Sequence, residues 1–327
     1  MLLAPMLAAA VAAGTVCTVD DQRVDEASGL VATDGGYVVV NDGTDLASHR
    51  KIFYLDGDCD VKRTVSYPSQ PRDTEDMQLG ADGTLWIADI GDNNANRETI
   101  GLWKLAPGAS KPTLYRLSYP DGARDAEALL VTADGTPMII TKTAAAAGIY
   151  VPDGVLKKGS TTPMKSVGDV AVPITTTSNP WGLAGHLVVT GAATSPDGSR
   201  VVLRTYADAF EYDVTDGDVL TAITEGTPRR IAMPDEPQGE SVTYTPDGTA
   251  LLTISEGEKP KILRYALPDA PSPSPSAETT TPAASHQATT NVATAAEQSR
   301  LPLLLFLVGG LGIVLSAAGI MILRRRG

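Results

Sequence analysis

The chain of 327 residues carries 26 basic and 39 acidic residues, a formal net charge of −13. This acidic balance excludes a nucleic-acid binder, which needs a basic face, and three histidines with two cysteines exclude zinc-finger, iron–sulfur and histidine-rich metal sites. A hydrophobic fraction of 43% is enough to build a core, so global disorder is excluded as well.

Residues 1–13 are apolar and end in small side chains, and Ala10-Val11-Ala12 fits an A-x-A cleavage site. They read as an export signal, although the basic segment that opens such signals is absent. Gly14, Thr15 and Val16 make a poor lipobox before Cys17, so lipidation is not expected. In an exported chain the two cysteines, Cys17 and Cys59, are expected to pair as a disulfide.

Residues 14–267 repeat one pattern five times. An apolar run leads to an Asp-Gly or Gly-Gly turn and a second apolar run follows. The copies begin at Glu26, Glu75, Glu127, Thr190 and Glu240. The turn glycines Gly35, Gly83, Gly135, Gly198 and Gly248 lie 48, 52, 63 and 50 residues apart. Four strand-like runs per copy at this period predict an all-β chain, a β-propeller of four-stranded blades. Five blades are expected, with a sixth as the alternative across the long Ala144–Pro180 region. The fifth copy supplies three strands, ending at Leu267. The free β-prone run Thr15–Val19 is expected to complete it and close the ring.

The C-terminal part reads differently. Residues 268–300 are rich in Pro, Ser, Thr and Ala and nearly lack large apolar residues, the composition of a disordered stalk. Residues 301–323 form an uncharged apolar run long enough to span a bilayer as a helix. Arg324, Arg325 and Arg326 follow in the tail 324–327, and the positive-inside rule keeps them cytoplasmic. The expectation is a single-pass membrane protein, monomeric, with its propeller outside the cell.

In a propeller the loop entering the innermost strand and the loop leaving the second strand share one face. Glu26, Glu75, Glu127 and Glu240 stand at the first position, and Asp42, Asp89, Asp92, Asn93, Lys142, Arg204, Glu256 and Glu258 at or after the second. Asp73, Asp76 and Asp125 flank the ring. So many carboxylates in one funnel must be protonated or held by cations, and oxygen donors without His or Cys select Ca²⁺ or Mg²⁺. The candidate metal ligands are Glu26, Glu75, Asp89, Asp92, Asn93, Glu127 and Glu240, with Ca²⁺ as the ion. The candidate catalytic set is Glu75 and Glu127 with Arg97, Lys142 and Arg204 gripping an anionic group. The plain alternative for Asp34, Asp82, Asp134, Asp197 and Asp247 is turn formation, which suffices for them. No nucleophile elbow, P-loop or dinucleotide fingerprint occurs, and His49 and His186 lie away from the repeat positions that build the mouth.

The phrases EASGL, DTEDMQL, DIGDN with Arg97 following, YPDGARDAEAL, SPDGSRVVLRTY and QGESVTYTPDG resemble a family of bacterial secreted propellers related to phytase-like and esterase-like domains. The likeness runs from about Asp25 to Leu267. It implies a calcium-dependent propeller acting on phosphoesters or other esters. Asp73-Thr74-Glu75-Asp76 is similar to the acidic first-strand motif of propeller phytases, and Asn93-Asn94 with Arg97 to their Asn-Asn…Arg loop. Calcium-dependent propeller lactonases also place Glu, Asn and Asp at the channel mouth. Two functions follow as expectations. One is a surface-anchored, metal-dependent hydrolase of an anionic small molecule. The other is a non-catalytic module binding a cell-surface glycan, peptide or protein.

Overall fold

The computed structural model describes residues 13–267. The expected stalk, membrane helix and basic tail, and all but the last residue of the expected signal, lie outside the described residues. Among the described residues no helix is long and apolar enough to cross a membrane.

Among the described residues, runs rich in β-branched and aromatic side chains form twenty strands, the inner hairpins turning at Asp-Gly or Gly-Gly. The first strand, β1 (Gly14–Thr18), stands apart from the meander that follows it. Blade 1 comprises β2 (Ala27–Thr33), β3 (Gly36–Asn41), β4 (Lys51–Leu55) and β5 (Val61–Ser66). Blade 2 comprises β6 (Thr74–Leu79), β7 (Leu85–Asp89), β8 (Ile100–Leu105) and β9 (Thr113–Ser118), and blade 3 comprises β10 (Ala126–Val131), β11 (Pro137–Thr141), β12 (Ala147–Pro152) and β13 (Thr161–Val170). A short helix, α1 (Ala184–Leu187), precedes blade 4, which holds β14 (Gly191–Thr194), β15 (Arg200–Arg204), β16 (Asp208–Asp213), helix α2 (Val219–Glu225) and β17 (Arg229–Ala232). Blade 5 holds β18 (Gly239–Tyr244), β19 (Ala250–Ser255) and β20 (Lys261–Ala266).

Each blade is an antiparallel meander, and β1 pairs with β20 as the fourth strand of blade 5. The first strands of the blades touch in cyclic order, β2 to β6, β10, β14, β18 and back to β2. That is the topology of a β-propeller with five blades. The region 144–180, where a sixth was the alternative, holds β12, β13 and a long strap instead. Blades 2 and 3 are also joined at their rims, where β9 and β13 pair in parallel over Thr161–Pro163, producing one eight-stranded sheet. The disulfide between Cys17 on β1 and Cys59 in the β4–β5 turn ties the closing strand to blade 1.

Burial follows distance from the axis. β10, β11 and β19 are buried at every position, whereas rim strands β1 and β5 are largely exposed. The core is accordingly divided into five apolar clusters, one in each wedge between adjacent blades. Phe53, Leu30 and Val39 meet Leu252 and Ile254 between blades 1 and 5, for example. Turn aspartates cap the inner hairpins as the plain reading requires. Asp82, Asp134, Asp197 and Asp247 each accept the backbone N–H two residues on.

The inner strands carry a shared irregularity that positions the site. β2, β6, β10 and β18 each bulge after their first residue, at Ser28, Glu75, Glu127 and Glu240. A bulge turns the extra side chain out of the alternating pattern. Here it puts four residues at one level of the channel, with Thr190 leading into β14 at the fifth place.

Candidate metal centre at the channel mouth

The ring at the bulges is Ser28, Glu75, Glu127, Thr190 and Glu240. Ser28 and Thr190 play one role, each donating its hydroxyl to the backbone carbonyl of the next blade, Thr74 and Gly239 respectively. The three glutamates are 3%, 3% and 4% exposed. Glu26 does not belong to this ring. The left-handed turn glycine of blade 1 is Gly36, not Gly35, and eight residues back from it is Ser28. Glu26 stands two residues upstream, level with Asp73, Asp125 and Gln238. In blades 1, 3 and 5 the carbonyl at this level accepts from Asp42, Lys142 and Glu256 in turn. The register also separates Lys142 from Arg204. Arg204 pairs with Gly191 as Ile140 pairs with Ala128, so the blade 4 counterpart of Lys142 is Tyr206.

The mouth therefore gathers Asp42, Asp73, Glu75, Glu127, Glu240 and Glu256 around one ammonium, Lys142. Carboxylate oxygens of Asp42, Asp73 and Glu75 lie within 4.8 Å of one another. Burial, then the charges of Glu240 and Asp73, push the Asp42 carboxyl well above the usual range. Glu75 is raised by burial and by Asp42, Glu127, Glu240 and Asp73. Glu256 is pushed up to about 10 by burial and then by Glu240. Glu127 is raised by burial and pulled back by Lys142, whose Nζ contacts its Oε1. Burial works against the charge on Lys142, but Glu127, Tyr206 and Glu240 outweigh it and hold the ammonium.

Two oxygens have no internal partner. Glu240 Oε1 receives Gln238 Nε2 at 3.0 Å and the Tyr206 hydroxyl at 3.4 Å, while its Oε2 receives nothing. Glu127 Oε2 is likewise buried and unpaired. Buried carboxylate oxygens without donors are costly, so their arrangement fits a cation. The wall opposite is cut back to suit. A Cβ on Gly91 would overlap Glu75 Oε1 and come 2.6 Å from Asp73 Oδ2. The donor set is all oxygen, which fits Ca²⁺ or Mg²⁺.

The Asp89–Arg97 stretch builds this wall. Asp89 accepts the Arg72 and Asp73 backbone N–H groups at 3.2 and 3.1 Å, together with Arg97 Nη2 at 2.8 Å and Trp103 Nε1 at 3.2 Å. Arg97 Nη1 donates to the Gly91 carbonyl at 2.6 Å. The Asp92 carboxylate accepts from Asn96 and Arg97 N–H, and the Asp92 N–H donates to Asp125 at 2.8 Å. Asn93 is exposed. Of the sequence candidates, Glu75, Glu127, Glu240 and Lys142 meet in the mouth. Asp89 and Arg97 are instead committed to fixing Asp73 and Gly91, and Asp92 to holding its own loop and Asp125. Arg204 is fully buried, donating to the Ser241 carbonyl at 2.7 Å and to Glu236 at 2.6 Å. Asp42, Asp73 and Glu256 stand in the site without having been singled out as ligands, and Tyr206 carried no acidic signal at all.

A scan against protein-family models finds no match, and a search of curated proteins finds none either. Solved structures with partial likeness include a streptogramin B lyase, at 15% identity over 73% of this chain and 64% of that one, TM-score 0.36. A gluconolactonase from Xanthomonas campestris overlaps at 14% identity over 71% and 68%, TM-score 0.41. A luciferin-regenerating enzyme overlaps at 14% identity over 75% and 78%, TM-score 0.42. The reading of the site rests on its own residues.

Proposed function

We propose that the mouth binds a divalent cation, Ca²⁺ by its donor set, and that the protein is a cation-dependent hydrolase of esters or lactones, presented outside the cell on a stalk and a C-terminal membrane helix. The observation that carries this reading is the meeting of Asp42, Asp73 and Glu75 within 4.8 Å in a mouth where Glu127 and Glu240 each keep a buried, unpaired Oε2. Asp42, Asp73 and Glu75, with Glu240, would hold the ion, which would supply Lewis-acid charge to a substrate carbonyl. Glu127 Oε2 is placed to take a proton from water. Burial makes that carboxylate a strong proton acceptor, and Lys142 on its other oxygen partly offsets the rise. Water adds to the carbonyl carbon, the bond to the alcohol oxygen breaks, and that proton passes to the alcohol. The products are a carboxylic acid and an alcohol, joined as a hydroxy acid when the substrate is a lactone.

The geometry favours a neutral carbonyl substrate over a phosphoester. The donors of Arg97 and Arg204 are turned into the fold, which leaves Lys142 as the cation facing the mouth. Calorimetric Ca²⁺ titration of the full-length protein and of Glu75→Gln is the direct test, followed by a screen of lactones, acyl esters, phosphomonoesters and phosphodiesters. Saturable binding lost in Glu75→Gln, with turnover of lactones or esters, is the expected result. No binding at millimolar Ca²⁺ overturns the reading. Binding without any turnover replaces the hydrolase with a cation-dependent binding module.

A further inference from the structure

Seven large apolar side chains are exposed on the described residues. Four of them, Leu46, Ile174, Trp181 and Leu183, belong to loops on the mouth face. Leu46 follows Asp42 in the β3–β4 loop, and the other three lie on the strap between β13 and β14. Val172 and Val189 anchor the ends of the strap in the core, and polar bonds tie down its middle. Thr175 and Thr177 donate to the two oxygens of the buried Asp208, and Ser178 Oγ donates to Asp235 at 2.8 Å. Asn179 Oδ1 accepts the Trp181 N–H at 2.9 Å and fixes the turn that carries the ring.

Trp181 is 39% exposed and Leu183 64%. The Trp181 ring lies 5.2 Å from that of Tyr206 at an interplanar angle of 33°. Tyr206 in turn touches the reactive end of the mouth. Its hydroxyl is 3.4 Å from Glu240 Oε1, and Lys142 Nζ is 5.6 Å from its ring centre. An apolar surface thus begins one aromatic ring away from the unpaired carboxylate oxygens. Exposed apolar surface concentrated at the rim of a polar site marks a place where a ligand is held.

We infer that Trp181, with Leu183 beside it, is the specificity surface for the apolar part of the substrate, which is therefore an ester or lactone bearing a hydrophobic acyl or alkyl chain. The carbonyl end rests on the cation-dependent reading given above, and the tail rests on Trp181. Each methylene laid against the ring favours the longer substrate about three- to fourfold.

The test compares γ-butyrolactone with γ-nonalactone on the full-length chain in Ca²⁺, reading turnover and tryptophan emission together. The chain has three tryptophans, and Trp86 and Trp103 are 3% and 0% exposed, so a ligand-induced emission change reports Trp181. The expected result is a kcat/KM for the nonalactone at least tenfold above that for the butyrolactone, with an emission shift from the nonalactone alone. Trp181→Ala brings the ratio to near one through KM. Trp181→Phe loses the emission signal while keeping most of the ratio. Turnover of both lactones with equal efficiency and no emission shift overturns the inference and leaves the hydrolase reading standing. An emission shift with the nonalactone but no turnover of either lactone supports the apolar subsite and overturns the hydrolase. A strap that serves only to dock another protein or a membrane gives neither chain-length preference nor shift, which also overturns the inference.

Discussion

Gly91 has no side chain because Glu75 and Asp73 occupy the space in which one would sit. Its backbone lies outside the left-handed region, so the requirement is room and not conformation. Gly91→Ala is expected to push Glu75 and Asp73 apart, at about 1–3 kcal/mol of stability for the overpacking. Ca²⁺ affinity should fall at least tenfold in calorimetry, and unchanged affinity would show that Gly91 does not shape the site. Lys142 tests the other wall. Lys142→Met leaves Glu127 buried without its partner and should cost about 3 kcal/mol at neutral pH in chelator, read as a lower denaturant midpoint at unchanged slope. Adding Glu127→Gln to Lys142→Met should restore most of the loss. Failure to restore it would mean that Lys142 stabilises through packing rather than charge.

At the scale of elements, the bulges matter more than the strands. A regular β6 would alternate Thr74, Glu75 and Asp76 between faces. The bulge instead frees Glu75 for the mouth, while Asp76 crosses the channel to accept N–H groups of Leu129 on blade 3 and Ala192 on blade 4. Asp76 thus pins three blades together while its neighbour serves the site. Ring closure is the other element-scale device. β1 and the Cys17–Cys59 bond close a loop of sequence separation 42, for which chain entropy predicts a contribution of about 2–4 kcal/mol. Cys17→Ser with Cys59→Ser should lower Tm by several degrees and raise proteolytic release of residues near β1. An unchanged Tm would place ring closure on the β1–β20 pairing alone.

For the whole molecule, the acidic excess becomes a pH dependence. A carboxyl whose folded pKa lies above its unfolded value holds its proton more tightly when folded, so stability is highest below the unfolded value and falls as pH rises toward the folded one. Glu256 moves from 4.5 to about 10, and Asp42, Glu75 and Glu127 move in the same direction. In chelator, Tm should therefore drop between about pH 5 and pH 9, across the interval between ordinary and raised carboxyl values. Ca²⁺ should raise Tm far more at the alkaline end, where protons no longer compete for the oxygens. Equal Tm across this range in chelator would mean that the mouth carboxylates are not coupled as their packing requires.

The sequence alone determined the propeller. Asp-Gly turns at a period near 50 residues and apolar runs four to a copy are local signals, and local turn chemistry sets hairpin order without help from the rest of the chain. It also determined that a β-prone run before the first copy was available to close the ring. It put Glu75, Glu127, Glu240 and Lys142 on one face, because repeat position alone fixes which end of a blade a residue occupies. Tertiary structure decided the register. Gly35 and Gly36 look alike in sequence, and only the backbone shows which is left-handed and hence that Ser28, not Glu26, completes the ring. It likewise decided where long side chains point. Arg97 and Arg204 sit in positions that suggested substrate binding, yet Asp89 and the Gly91 carbonyl of its own loop hold the Arg97 guanidinium inward, and Glu236 with the Ser241 carbonyl of blade 5 holds that of Arg204. The Arg204 pairing depends on which blades the closed ring brings together, and no spacing along the chain records it.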